Sequence, residues 1–349
     1  MTDLAIHIFD PASGGESSDE NVQTHACSIR DSADILRDLL SSPSSGMYCF
    51  SSAGIVPDSD QLTAAADTLT SSGAAIGILP ADRHSDLTFV WRRLPAPLAG
   101  FVAPPESRGT ILVETNRLSE MTLSEKSVWP LQEIVIRTAL QNSSSVLLLG
   151  SKESSDNSPL PAADIDLPEL VPQLPGRNRQ WMAGLLKQLN PQKYLNGAGD
   201  SCEAEAVLAG LLQINDYLDE SHNHSQSIEG QGQDVNGDYW HGIMHRREPD
   251  YGNSKYWFRR VGQHPCFTPL SALAEQALDE CHSSDAEQWK NRMTGASGWN
   301  PAAFIDFCEL TARSSDQELT TAAQRIQWAE MLLLLGHSFQ QACRMPSEA

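Results

Sequence analysis

The sequence contains no apolar run long enough to cross a membrane. A spanning helix needs roughly 18–20 consecutive apolar residues, and the longest run here, "MLLLLG" from Met331, is far shorter. The opening "MTDLAIHIFDPASGG" has neither the basic segment nor the long apolar core of a secretory signal. A cytoplasmic protein with no membrane partner is therefore expected. Cysteine is sparse: Cys27, Cys49, Cys202, Cys266, Cys281, Cys308 and Cys343 are scattered, and no two form a CxxC pair. An odd, dispersed set argues against a disulfide framework or a Cys-rich zinc site and fits a reducing compartment. Positive charge is also scarce. With 24 Lys/Arg against 45 Asp/Glu the formal charge is −21, which repels nucleic acid and anionic membranes, so no nucleic-acid partner is expected. The GxGxxG, GxSxG and HExxH patterns are missing, and "GAGDS" at 197–201 is too short for a phosphate loop.

What is present suggests two domains, because one core rarely serves 349 residues. Over residues 1–150, short apolar runs alternate with helical patterns. The expected strands are 4–9, 47–50, 74–79, 87–91, 110–114 and 145–150, and the expected helices are 32–40, 59–69 and 129–140. That alternation predicts an α/β domain with a largely parallel sheet. Residues 151–176 hold Pro159, Pro161, Pro168, Pro172 and Pro175, too many for a helix, and read as a linker or strap. From 177 to 349 apolar positions recur at helical spacing, which predicts a mainly α-helical domain.

One stretch of that second half is unlike the rest: "YWHGIMHRREPDYGNSKYWFRRVGQHP", residues 239–265. Asp238 is a natural N-cap, and Pro249 stops a helix at the residue before it. Between them His241 and His245 stand at i and i+4, with Glu248 at i+7, on one stripe of the helix. Two imidazoles and a carboxylate make a ligand set for zinc or non-haem iron. The same residues would also serve as a catalytic acid/base group, or would simply satisfy buried neighbours. His264 and His337 are further candidate ligands, and His222 and His224 form another pair just upstream; six of the ten histidines lie between 222 and 282.

The basic residues of the stretch tell a second story. Arg246, Arg247, Lys255, Arg259 and Arg260 fall within fifteen positions, beside Tyr256 and Trp257. Arginine forks bind carboxylates and phosphates in two-point fashion, and aromatic rings stack on sugars or bases. A small anionic ligand is expected in a pocket of these residues with His264. The alternative is that the arginines pair with local acids such as Asp234, Asp238 and Asp250.

The stretch, with "GWNPAAFIDFCEL" and "RIQWAEMLLLLGHSF", resembles a bacterial and fungal protein family of uncharacterised activity. The shared pattern is WHxxxHRRExDxxNxKYWFRRVGxHP followed by WxPxxFxxxCE, over about residues 175–345. It implies a fold neighbourhood and no activity. In the first half, "MYCFSSAGIVPDSDQLTAAADTLTSSGAAIGILP" (47–80) is similar to the middle of family 2 glycosyltransferases, where a strand ends in a metal-holding Asp-x-Asp. The matching positions here are Ser51 and Ala53, neither of which ligates a metal as a carboxylate does. The likeness thus implies a degenerate transferase domain. Two functions follow as expectations: an enzyme or binding protein for a sugar acid, sugar phosphate or nucleotide sugar, or a non-catalytic scaffold.

Overall fold

The computed structural model of the chain describes residues 4–9, 22–25, 47–52, 59–80, 90, 94–102, 109–114, 130–149, 160, 167–173, 180–189 and 202–343. They fall into two compact units, one drawn from Met1–Asn157 with Asn178–Leu185, the other from Ser158–Arg177 with Leu186–Ala349. No helix among the described residues is long and apolar enough to cross a membrane.

The first unit carries a six-stranded sheet of β1 (Leu4–Phe9), β2 (Val22–His25), β3 (Met47–Ser52), β4 (Ile76–Pro80), β5 (Gly109–Glu114) and β6 (Val146–Leu148). The spatial order is β2-β1-β3-β5-β4-β6. Three pairings are parallel, β1 with β2, β1 with β3, and β4 with β6. β5 runs antiparallel to both its neighbours, setting Cys49 opposite Leu112 and Ile76 opposite Val113. The sheet is therefore mixed, where a largely parallel one was expected. The run "GTILVE" is buried along nearly its whole length. A strand covered on both faces reads as continuous apolar sequence whichever way it runs.

Helices α1 (Ser59–Ser72), α2 (Ala96–Val102) and α3 (Pro130–Gln141) belong to the same unit. On α1, Leu62, Ala65, Ala66 and Leu69 follow the i, i+3, i+4, i+7 spacing. They pack with Met47, Cys49, Ala74, Leu112 and Leu149 into one apolar cluster. The expected helix over 32–40 lies outside the described residues, as do 87–89 and 91 of an expected strand and Ala53 of the glycosyltransferase likeness; Ser51 is in β3.

α4 (Gln180–Leu186) precedes the helices of the second unit: α5 (Cys202–Ile214), α6 (Leu218–Ser227), α7 (Asn236–Arg247), α8 (Tyr251–Val261), α9 (Phe267–Asp279), α10 (Ala286–Thr294), α11 (Pro301–Thr311) and α12 (Gln317–Ala342). Several begin at side-chain caps. Asp250 accepts from the Asn253 N–H, Asn300 from Ala303 with Pro301 just inside the helix, and Asp316 from Glu318 and Leu319. α7 is the centre of the unit, because all twelve of its residues are buried. Tyr239, Trp240, Ile243 and Met244 are wholly enclosed, and burying each such side chain contributes about 1.5–3 kcal/mol.

The start of α7 differs from expectation. The helix begins at Asn236, and its N-cap position is Val235, in the left-handed region at φ 46°. Asp238 is in the first turn and accepts from the Gly230 N–H at 2.8 Å. It is held there by the chain that leads into the helix and not by capping. The helix ends at Arg247, just ahead of Pro249.

Candidate metal centre

Two glycines let the helices that build the site approach closely. A Cβ at Gly242 would stand 2.9 Å from the Phe258 ring of α8, and one at Gly210 would stand 2.5 Å from the Trp240 ring. With α7 and α8 this tight, Trp257 stacks on His241, their rings 3.9 Å apart and 18° from parallel. His241 and His245 stack in turn at 4.8 Å, as their i, i+4 spacing dictates. The third ring comes from α6, where His222 meets His241 edge-on at 4.6 Å and His245 at 5.6 Å.

His222, His241 and His245 thus offer three ligand nitrogens, all within 4.8 Å of one another. His241 and His245 are buried, and the Nδ1 of each has no hydrogen-bond partner among the described residues. Burial pushes the His241 imidazole down to about 3, helped by His245, His222 and Arg260. Burial also lowers His245, with His222 assisting and Asp250 opposing. Both rings are therefore neutral across the physiological range, the form in which imidazole binds a metal. A tetrahedral zinc with Zn–N bonds of about 2.0–2.1 Å needs its nitrogens roughly 3.3–3.4 Å apart. Ring movements of about an ångström would close the cluster to that spacing.

Glu248 stands at the edge of this cluster, its Oε2 3.6 Å from His245 Nδ1. Burial raises its carboxyl above the usual range, Asp219 and Asp250 raise it further, and His222 opposes them. Glu248 also lines an open cleft of about 550 Å³, together with Asp216, Asp219, Glu220, Arg247 and Pro249. The expected stripe is assembled in part. His241 and His245 come together, His222 joins them, and Glu248 flanks them on the cleft side.

The expected anion clamp is not assembled. Arg246 is 1% exposed and pairs with the equally buried Glu330, which also receives the Tyr239 hydroxyl at 3.1 Å. Arg247 is wholly buried and binds Asp216 and the carbonyls of Gln213 and Glu169. Both forks are thus engaged with buried carboxylates, and Arg247 also lines the cleft. Lys255 pairs with Asp306 at 2.5 Å. Arg260 pairs with Glu229 at 2.9 Å and Asp238 at 3.3 Å and lies 5.0 Å over Trp257. Arg259 and Tyr256 are exposed. His264 belongs elsewhere in the unit, bonded to Asn236 at 3.0 Å and to the Cys266 N–H at 3.1 Å. His337 is satisfied by Asp234 at 2.8 Å.

Two residues of the site were not assigned from sequence. His222 was visible only as one of a pair just upstream of the stretch. Asn253, whose Nδ2 stands 3.0 Å from His245 Nε2, was visible only as a fixed position of the quoted pattern, with no role assigned to it. The chain matches no protein-family model, no curated protein and no solved structure.

Proposed function

We propose that this chain is a metal-dependent enzyme whose centre is a divalent transition metal held by His222, His241 and His245. The observation that carries the reading is the convergence of three imidazoles, two of them buried with a ring nitrogen unpartnered. An unpaired buried polar atom costs about 1–3 kcal/mol, and a metal would remove that cost. An all-imidazole set suits zinc, copper, nickel or iron over magnesium or calcium. Three protein ligands leave a fourth position for water or substrate, the arrangement of catalytic zinc sites. Glu248, at the cleft edge with a raised affinity for protons, is placed to take a proton from such a water. A small anionic substrate would then be attracted by the metal, because Arg246 and Arg247 are engaged inside the protein.

Metal analysis of the purified full-length chain tests this reading. About one equivalent of zinc, or of another late transition metal, is expected, with a loss of at least tenfold in affinity for His222→Ala. A metal-free protein that gains no stability from zinc or cobalt would sink it.

The internal pairing of Arg246, Arg247, Lys255 and Arg260 supports a second reading, a non-catalytic scaffold in which the whole stretch is packing. On that reading His222→Ala, His241→Ala and His245→Ala change stability alone, and no metal responds to them.

A further inference from the structure

His245 has one partner too few on one side and a restrictive partner on the other. A neutral imidazole carries a single proton shared between two nitrogens. Nε2 stands 3.0 Å from Nδ2 of Asn253, at the start of α8. An amide nitrogen donates and does not accept, so in this arrangement Nε2 is the acceptor and the proton is on Nδ1. Nδ1 is buried without a hydrogen bond, and the nearest carboxylate oxygen, of Glu248, is 3.6 Å away. With Nε2 occupied, Nδ1 is the nitrogen left to meet a metal. It is held in the protonated form that cannot.

The amide of Asn253 offers a way out. Turning it by half a revolution exchanges its nitrogen and oxygen at nearly the same positions. Oδ1 would then accept from Nε2–H, and Nδ1 would present its lone pair. The neutral ring keeps one proton throughout: it leaves Nδ1 by way of Glu248 or water, and one is gained at Nε2. The Asn253 backbone N–H is tied to Asp250 at 3.1 Å, but among the described residues its side-chain oxygen has no hydrogen-bond partner. An amide serves both tautomers, whereas a carboxylate only accepts and an apolar side chain does neither.

We infer that Asn253 is a positioning residue that selects the tautomer of His245 and so governs metal uptake at the three-histidine site. The inference rests on the metal reading proposed above. Outer partners of ligating histidines commonly set metal affinity within a 10–100-fold range, and Asn253 is in the place such a partner occupies.

Zinc and cobalt titrations of the full chain, its Asn253→Leu and Asn253→Asp variants, and ¹⁵N NMR of the metal-free His245 ring test it. Asn253→Leu is expected to weaken zinc binding about 10–100-fold while thermal stability changes little. Asn253→Asp should place the proton on Nε2 before metal is added and bind zinc at least as tightly as the wild type. Zinc affinities that are alike in all three proteins overturn the inference, and so does a loss in Asn253→Asp equal to that in Asn253→Leu. If none of the proteins binds zinc or cobalt, the metal reading fails separately, and the ring spectra still decide. A wild-type proton on Nδ1 that moves to Nε2 in Asn253→Asp supports the role of Asn253, and an unchanged tautomer refutes it.

Discussion

At the scale of single residues, the interior of the second unit is held by charge as well as by apolar packing. Arg246 and Glu330 are both about 1% exposed and face each other. Removing one member strands the other, which costs about 3–5 kcal/mol. Arg246→Met is therefore expected to lower the unfolding free energy by that amount in urea denaturation. Arg246→Met combined with Glu330→Leu should recover most of it, because matched apolar replacement of a buried pair is often neutral. An additive double mutant would contradict the pairing.

His264 supplies a pH prediction. Burial and His337 push its imidazole down to about 4, with Asp234 opposing. The unfolded chain takes up this proton near 6.5, and the folded chain resists it until about 4. Its neutral state therefore costs nothing above about 6.5, and stability is lost as pH falls between the two values. The slope from this one group is at most about 1.4 kcal/mol per pH unit. His264→Gln should flatten that part of the stability–pH curve, and an unchanged slope would show that the burial has been misassigned.

At the scale of elements, α7 and α8 form the frame of the site, and Gly242 sets their spacing. Gly242→Ala places a methyl group 2.9 Å from the Phe258 ring. The overpacking is expected to cost about 1–3 kcal/mol. It should also loosen the Trp257–His241 stack, seen as a change in tryptophan fluorescence. A variant with wild-type melting temperature and emission would show that the helices have room to spare.

The elements also show what could be read in advance. α11 and α12 were legible from their apolar helical period, and the structure adds side-chain caps at Asn300 and Asp316. The i, i+4 pair of His241 and His245 was legible for the same reason, helical period. β2 was missed because "VQTH" is four residues with little apolar content. α8 was read as an aromatic and basic segment, although Tyr251, Ser254, Trp257, Phe258 and Val261 line one buried face. His222 could not be placed, because the path of residues 228–235 between α6 and α7 decides which side of α7 it meets. The partner of Arg246 could not be read because Glu330 lies more than eighty positions away and no local rule connects them, whereas the pairing of Arg260 with Asp238 was among the expected alternatives.

At the scale of the whole molecule, a net charge of −21 concentrates cations near the surface. Asp219, Glu220 and Glu248 bring that charge to the cleft beside the histidines. Such a field favours the arrival of a divalent metal, and once bound the metal would supply the positive charge that the buried arginines do not. The most direct measurement is the visible spectrum of the full chain titrated with cobalt(II), with His222→Ala, His241→Ala and His245→Ala beside it. Intense tetrahedral cobalt bands that saturate at one equivalent are expected, weakened or lost in each variant. A spectrum no different from that of free aqueous cobalt, with all four proteins alike, would contradict the three-histidine metal site.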